Sequence, residues 1–253
     1  MFNSFKPGLA ALLASLAVLF TAPLAWAGDV QVAVAANFTE PAKEIAALYA
    51  ARTGNHAILS FGSSGQFYTQ ITQGAPFEVF LSADADRPTK AEQAGLAVAG
   101  TRFTYAVGRL VLWSATSGLV DDHGAVLKGS RFSKLSIADP AAAPYGLAAI
   151  QTLKTLKIYD QLQPKIVQGS SIAQAFTFVK TGNAELGFVA LSQVINEPGG
   201  SRWLVPEADH EPIIQQAVLL KPGADSAGSR AFLTFLKGGP ARAIIRRFGY
   251  ATS

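Results

Sequence analysis

The sequence of 253 residues contains no cysteine, one methionine and three histidines. The absence of cysteine excludes disulfides, thiolate metal sites and a lipid anchor on a leader cysteine, so the fold must be stabilised by packing alone. Charged residues make up only 15% of the chain, and the net charge of +4 comes from scattered lysines and arginines. Because no basic cluster with interleaved aromatics occurs, we expect no binding of nucleic acid.

The first 27 residues have the features of a leader. Lys6 precedes an apolar run from Leu9 to Phe20, and Ala25 and Ala27 form an A-x-A cleavage signal. This arrangement is typical of a secretory signal peptide, because the run is too short to span a membrane. We therefore expect a periplasmic protein that does not itself span the membrane. The remaining chain is long enough for two lobes of about 100 residues each.

Apolar strands and amphipathic helices alternate along the first part of the chain. Strands are predicted at 30–36, 56–61 and 78–82, and a helical pattern follows each of them. This order predicts a parallel sheet, in which ligands bind beyond the carboxyl ends of the strands. The extended run at 103–113 predicts a crossing into a second lobe. Further strands are predicted at 135–138, 165–167, 186–191 and 213–220, and terminal helices at 227–237 and 240–248.

The stretch FGSSGQF, from Phe61 to Phe67, joins a predicted strand to a helix. The first N–H groups of a helix lack intrahelical partners, and the helix dipole adds partial positive charge there, so such a turn suits an oxyanion. Ser63 and Ser64 are each able to cap the helix or to donate a hydroxyl proton to a ligand. The residues alone leave both interpretations open: an anion site, or an ordinary helix cap.

Three other turns have the same construction. In the first, Asn37 or Thr39 is expected to cap the following helix. In the second, at 139–146, two prolines and a glycine are expected to prevent regular structure until the helix that carries Leu147. The third precedes a helix that begins at Ile172. Four strand-to-helix turns are therefore candidates for one ligand site.

An alternative of another class is a secreted serine hydrolase. Its nucleophile would be Ser63, Ser64 or Ser192. Such an enzyme needs a base, and the three histidines all fall where surface positions are predicted: His56, His123 and His210. Neither a G-x-S-x-G elbow nor an S-x-x-K motif occurs. Asp84 and Asp86 at a helix start suit capping better than binding a cation. We therefore expect no catalytic residues, no cofactor and no bare metal ion.

Taken in order, these segments resemble the periplasmic molybdate-binding proteins of ABC transporters. The resemblance covers essentially the whole mature chain and is carried by VAANFT (34–39), SFGSSGQ (60–66), GAPFEVFLSAD (74–84), DP with PYG (139–146), GFV (187–189) and LKGGP (236–240). Each segment is common alone, whereas their order and spacing are specific to the family.

The resemblance implies an α/β fold of the type II periplasmic binding protein class, with two lobes of mixed sheets flanked by helices and a ligand cleft between them. It implies a first lobe at 28–107 plus 217–253 and a second lobe at 108–216. The protein would be a monomer that captures molybdate, and also tungstate, and delivers it to an ABC permease. An alternative is that the ligand is another oxyanion, such as sulfate.

The ligand residues implied by the resemblance are Asn37, Ser64, Tyr145 and Ile172, with a backbone contact from Ala36. None of them is charged, and a dianion without protons needs only donors. Neutral donors avoid the desolvation of a buried Lys or Arg, which costs several kcal/mol. One branch of the family has a ligand tyrosine where this sequence has Ala190, and alanine where it has Tyr145. We therefore expect the phenol donor to have moved to Tyr145.

Overall fold

The computed structural model describes residue 1 and residues 29–252, so the predicted leader lies outside the described residues except for its first methionine. Within the described residues, no helix has both the length and the apolar character needed to cross a membrane. The strands are β1 (Val30–Ala35), β2 (Ala57–Gly62), β3 (Val79–Leu81), β4 (Phe103–Gly108), β5 (Leu110–Ser114), β6 (Leu135–Ala138), β7 (Ile166–Gly169), β8 (Leu186–Ala190), β9 (Ser201–Leu204) and β10 (Ile213–Leu219).

The helices lie between these strands and after the last of them. They are α1 (Thr39–Thr53), α2 (Ser64–Thr72), α3 (Asp86–Gln93), α4 (Pro144–Thr155), α5 (Tyr159–Leu162), α6 (Ile172–Lys180), α7 (Leu191–Val194), α8 (Ala227–Lys237) and α9 (Gly239–Arg247). Short 3-10 helices are found at Ala36–Phe38, Ala125–Lys128, Gln163–Lys165, Glu207–Asp209 and Lys221–Gly223.

The strands form two five-stranded mixed sheets, as the fold class predicts. The first has the order β2-β1-β3-β10-β4, and the second has the order β7-β6-β8-β5-β9. In the first sheet β1 pairs in parallel with β2 and β3, while β10 runs antiparallel to β3 and β4. In the second, β6 is parallel to β7 and β8, and β5 is antiparallel to β8 and β9. We call each sheet with its helices a half of the molecule.

The chain passes from the first half to the second at Arg109, between β4 and β5, where the extended run predicted a crossing. It returns before β10, because all of β10 pairs within the first sheet. The division expected at 216/217 therefore falls inside a strand, whose first residues pair with β4. The register of that pairing shifts between Gln215 and Gln216, which marks a β-bulge.

Apolar clusters lie on both faces of each sheet, because helices cover both faces. Tyr49 of α1 packs edge-on against Phe232 of α8 on one face of the first sheet. Phe67 of α2 and Phe80 of β3 pack on its other face. A strand that is covered on both sides carries apolar residues on both of its faces. For this reason β1 and β3 show little alternation of apolar and polar residues. The buried strands hold their carboxyl ends, and the turns that follow them, in fixed positions.

Two helix starts differ from the prediction. α4 begins at Pro144 and not near Leu147, because proline suits the first helical position, where its missing N–H is not needed. α1 is capped by neither Asn37 nor Thr39: its N-cap is Phe38, and the Thr39 hydroxyl donates back to the Ala36 oxygen at 2.8 Å. α1 ends at Gly54, which adopts φ 73°.

Candidate functional site

The four strand-to-helix turns meet at one small cavity between the two halves. The cavity has a volume of about 10 Å³, measured for the centres of water-sized groups, and so holds about one such group. It is lined by Ala35, Ala36, Asn37, Gly62, Ser63, Ser64, Ala83, Ala143, Pro144, Tyr145 and Ile172. The structure thus brings together all five residues that the resemblance implied. Among the described residues that line it, none carries a charge, so any ligand charge must be met by dipoles and hydrogen-bond donors.

Ser63 has a capping role at the start of α2. Its Oγ accepts a hydrogen bond from the N–H of Gln66 at 3.3 Å, and the Gln66 side chain accepts one from the N–H of Ser63 at 3.2 Å. This reciprocal capping box satisfies two N–H groups of the turn. Of the two interpretations of the serine loop, the helix cap is therefore confirmed for Ser63.

Ser64 is placed to donate rather than to cap. It is buried, and its Oγ accepts a hydrogen bond from the N–H of Ala83 at 2.9 Å. A hydroxyl that accepts in this way keeps its own proton for another acceptor. The N–H of Gly65 donates to Ala142 and that of Gln66 to Ser63. Of the first N–H groups of α2, that of Ser64 is left at the cavity.

The start of α4 leaves one free donor in the same way. The oxygen of Ala143 accepts hydrogen bonds from the N–H groups of Gly146 and Leu147, at 2.9 and 3.2 Å. Pro144 has no N–H, so the first turn offers that of Tyr145. Gly146 is required here, because a Cβ at this position would lie 2.1 Å from the oxygen of Ala138. The close approach of α4 to β6 places Tyr145 at the cavity.

The start of α6 repeats this pattern in the second half. Ser171 caps the helix: its Oγ accepts from the N–H of Gln174 at 3.3 Å, and its main-chain oxygen accepts from that of Ala175 at 3.0 Å. The first helical residue, Ile172, lines the cavity and keeps its N–H. Its side chain packs into the core of the second half. A main-chain donor is what the resemblance implied for this residue.

The amide of Asn37 is already engaged by protein groups. Its Nδ2 donates to Oε1 of Gln215 at 2.8 Å and to the hydroxyl of Tyr250 at 2.9 Å. Asn37 is buried in the wall of the cavity. A ligand oxygen can take an Asn37 amide hydrogen only by replacing one of these two acceptors.

A buried polar cluster lies behind this wall and was missed by the sequence reasoning. Besides Asn37 and Tyr145 it contains Tyr105, Ser192, Gln215 and Tyr250. The one signal for it in the sequence is the pair Gln215–Gln216 inside the apolar run of β10. No sequence pattern connects Tyr250, near the end of the chain, with Asn37, near its beginning. Their hydroxyl and amide meet because β1 and the segment after α9 both belong to the first half.

The three phenols of this cluster are held in the neutral form. Burial raises the pKa of Tyr105 and of Tyr145 well above the usual value, and the neighbouring phenols add to this. Burial also raises the pKa of Tyr250 to about 12, although hydrogen bonds from its neighbours act in the opposite direction. The phenols therefore place no negative charge beside the cavity at neutral pH.

The two halves also touch directly at the rim of the cavity. The N–H of Gly65 donates to the oxygen of Ala142 at 2.9 Å, and Nη2 of Arg87 donates to the oxygen of Ala141 at 2.7 Å. On the other side, Ser192 in the second half donates its hydroxyl to the main-chain oxygen of Asn37 at 2.8 Å. These contacts bring helix starts from both halves to one cavity.

The features that a hydrolase or a cation site would need are not brought together. Among the described residues that line the cavity there is no histidine, and no group of three or more potential metal ligands occurs within the described chain. Asp84 accepts a hydrogen bond from the N–H of Arg87 in the first turn of α3, at 2.9 Å. The N-cap residue is Ala85, so the capping expected of Asp86 is not observed. Asp86 forms an exposed ion pair with Lys90 at 2.7 Å.

Comparison with known proteins gives a consistent result. A family model described as bacterial extracellular solute-binding protein matches residues 30–251. The chain is similar to the molybdate-binding protein ModA of Rhodobacter capsulatus, with 60% identity over 226 residues and 89% of each chain covered. It is 54% identical to ModA of Azotobacter vinelandii over 245 residues, covering 96% of this chain and 97% of that one.

The fold is similar to a solved structure, the periplasmic molybdate-binding protein of Azotobacter vinelandii. The TM-score is 0.87 at 44% identity, and the match covers 89% of this chain and 100% of the other.

Proposed function

Since the chain belongs to the ModA family of bacterial extracellular solute-binding proteins, we propose that it captures molybdate in the cavity between its two halves. The observation that carries this proposal is the convergence of donors at an uncharged cavity. The remaining N–H groups of Ser64, Tyr145 and Ile172 come from three different helix starts. Helix dipoles add partial positive charge at each of these starts.

The chemistry of the lining fits a deprotonated dianion. Each of these N–H groups and the Ser64 hydroxyl is a donor, and an oxyanion without protons needs no acceptor. A protonated phosphate would need one, so we expect it to be rejected. Sulfate has the same charge and shape as molybdate but shorter bonds, so it must be distinguished by the size of the cavity. The smallness of the cavity favours a single ion over an organic ligand.

We infer that the protein acts by binding and release, without a catalytic step. In this proposal it resides in the periplasm as a monomer, accepts tungstate as a close analogue of molybdate, and delivers the ion to an ABC permease. Release requires the two halves to separate, because they are joined by direct hydrogen bonds at the rim of the cavity.

Calorimetry on the ligand-free mature protein tests this function. Molybdate and tungstate should bind with micromolar to nanomolar Kd, which corresponds to about −8 to −12 kcal/mol. Phosphate should give no heat of binding, and sulfate should bind much more weakly. Equal heats for all four ions, or none for any of them, would contradict the proposal. A preference for sulfate would identify sulfate, and not molybdate, as the ligand.

A further inference from the structure

The side chain of Gln215 joins the two walls of the cavity from behind. It is fully buried on β10, beside the β-bulge. Its Oε1 accepts hydrogen bonds from Nδ2 of Asn37 at 2.8 Å and from the hydroxyl of Tyr105 at 3.0 Å. Its Nε2 donates to the hydroxyl of Tyr145 at 3.1 Å. One amide group therefore connects a wall residue of the first half with a wall residue of the second.

The orientation of this amide is set by its partners. The single proton of Tyr250 has two acceptors, the main-chain oxygen of Asn37 at 2.8 Å and Oγ of Ser192 at 2.9 Å, so its oxygen accepts from the Asn37 amide. The NH₂ group of Asn37 then faces Gln215 as well, and Gln215 must present its oxygen there and its NH₂ group to Tyr145. Turning the Gln215 amide over would set its NH₂ group against that of Asn37, and turning the Asn37 amide over would set its oxygen against that of Gln215. Either mismatch would be buried, where an unmade hydrogen bond is costly.

The backbone around this contact leaves just enough room for it. A Cβ on Gly108 would lie 2.1 Å from the Tyr145 hydroxyl and 2.7 Å from Nε2 of Gln215. Gly108 is the last residue of β4, immediately before the crossing between the halves. Bulges near functional sites redirect side chains, and the one at Gln215 lies in the strand that pairs with β4.

We propose that Gln215 is a positioning residue for the oxyanion site. It holds the Asn37 amide and the Tyr145 side chain in the geometry that binding requires, and it couples the two walls to one another. Gln215 does not line the cavity, so its effect on the ligand passes through these two neighbours. This inference rests on the proposed function of the site.

A matched pair of variants on neighbouring residues tests the proposal. Gln215→Met keeps the length of the side chain and removes both amide groups. Gln216→Met makes the same change at the next residue, whose amide bonds to Thr104 and Arg102. By analogy with residues that orient metal ligands, we expect the Kd for molybdate to rise about 10-fold or more in Q215M and by less than about twofold in Q216M. Equal Kd values for the two variants would overturn the proposal.

Gln215→Glu adds a second measurement, the pH dependence of the Kd, which should not change if Gln215 has a purely structural role. A protonated glutamic acid offers an acceptor and a donor, as glutamine does, whereas a carboxylate has no donor for Tyr145 and repels a dianion. Burial raises the pKa of a carboxyl group, so binding should be near wild type at about pH 5.5 and weaken as the pH rises towards about 8. The other groups facing this position are the neutral phenols of Tyr105, Tyr145 and Tyr250, with Asp84 farther away. A pH-independent Kd for Q215E would count against the proposal.

Coupling to Tyr145 completes the test. If Gln215 acts through the Tyr145 hydroxyl, the loss of affinity in Q215M combined with Tyr145→Phe should be smaller than the product of the two single losses. Fully multiplicative losses would overturn this route. If Q215M does not fold, Q215E at low pH, which retains both kinds of hydrogen bond, provides the comparison. Failure of the wild type and of Q216M to bind molybdate would reject the proposed function itself, whereas equal binding by all variants would reject only the role of Gln215.

Discussion

The backbone N–H of Gly65 donates to the backbone oxygen of Ala142 at 2.9 Å, and this bond joins the two halves at the rim of the cavity. Gly65 belongs to the first turn of α2, in the same stretch as the two serines, and Ala142 precedes α4. A Cβ on Gly65 would lie 2.9 Å from Cα of Ala142 and 3.1 Å from Nη2 of Arg87. The glycine therefore allows the close approach of the two halves.

Gly65→Ala should weaken molybdate binding by about 10-fold or more, because the added methyl group holds the halves apart at the cavity and overpacking typically costs 1–3 kcal/mol. The ligand-free protein can relieve the contact by separating its halves, so its Tm should change little. Gly239→Ala is the matched control, since a Cβ there meets no atom within 4 Å. Calorimetry and thermal unfolding of both variants check this, and an unchanged Kd for G65A would contradict it.

Ser63→Ala and Ser64→Ala should both lower stability, but only Ser64→Ala should weaken binding. Loss of the Ser63 cap should cost about 1 kcal/mol of unfolding free energy with little change in Kd. Loss of the Ser64 hydroxyl should weaken binding by about 10-fold, the usual effect of losing one charge-assisted hydrogen bond. It also leaves the buried N–H of Ala83 without its partner, at a cost of about 1–3 kcal/mol. Denaturant unfolding and calorimetry measure the two effects, and a larger loss of affinity in S63A than in S64A would reverse the assignment.

Gly108→Ala should destabilise the protein by about 1–3 kcal/mol, because the added methyl group would overlap the Tyr145 hydroxyl. It should weaken ligand binding as well, since Tyr145 must move. Adding Tyr145→Phe removes the nearest atom and should restore part of the lost stability. Urea unfolding of the double variant and of the two single variants checks this, and an unfolding free energy of G108A equal to that of the wild type would refute it.

The affinity for molybdate should be independent of pH between about 6 and 9, because the phenols beside the cavity have pKa values above the usual one of about 10. Stability should behave differently at high pH. The folded state keeps these protons while the unfolded chain loses them above about pH 10, so the stabilisation is complete below that pH and is lost as the pH rises further. Calorimetry and urea unfolding across this range measure both, and Tyr250→Phe should reduce the loss at high pH.

The prediction for the turn at 139–146 shows where the sequence was misleading. Two prolines and a glycine at 139–146 indicated irregular structure, but Pro144 begins a helix and Gly146 lies in its first turn. Proline breaks a helix in its interior but is favoured at the first helical position, where Pro144 lies. Gly146 is needed because α4 approaches β6 closely at this residue. Both features depend on position within the element, which composition does not reveal.

Sequence reasoning predicted the alternation of strands and helices, the crossing between β4 and β5, and four strand-to-helix turns as candidates for one ligand site. Those features follow from local periodicity and from the rule that a helix start leaves N–H groups unpaired. The folded chain was needed to show the capping bond of Ser63, the hydrogen bond that the Ser64 hydroxyl accepts from Ala83, and the support of Asn37 by Gln215 and Tyr250. These roles depend on which distant groups meet in the folded chain. A hydrogen bond between Asn37, just after β1, and the C-terminal segment has no signature in local sequence.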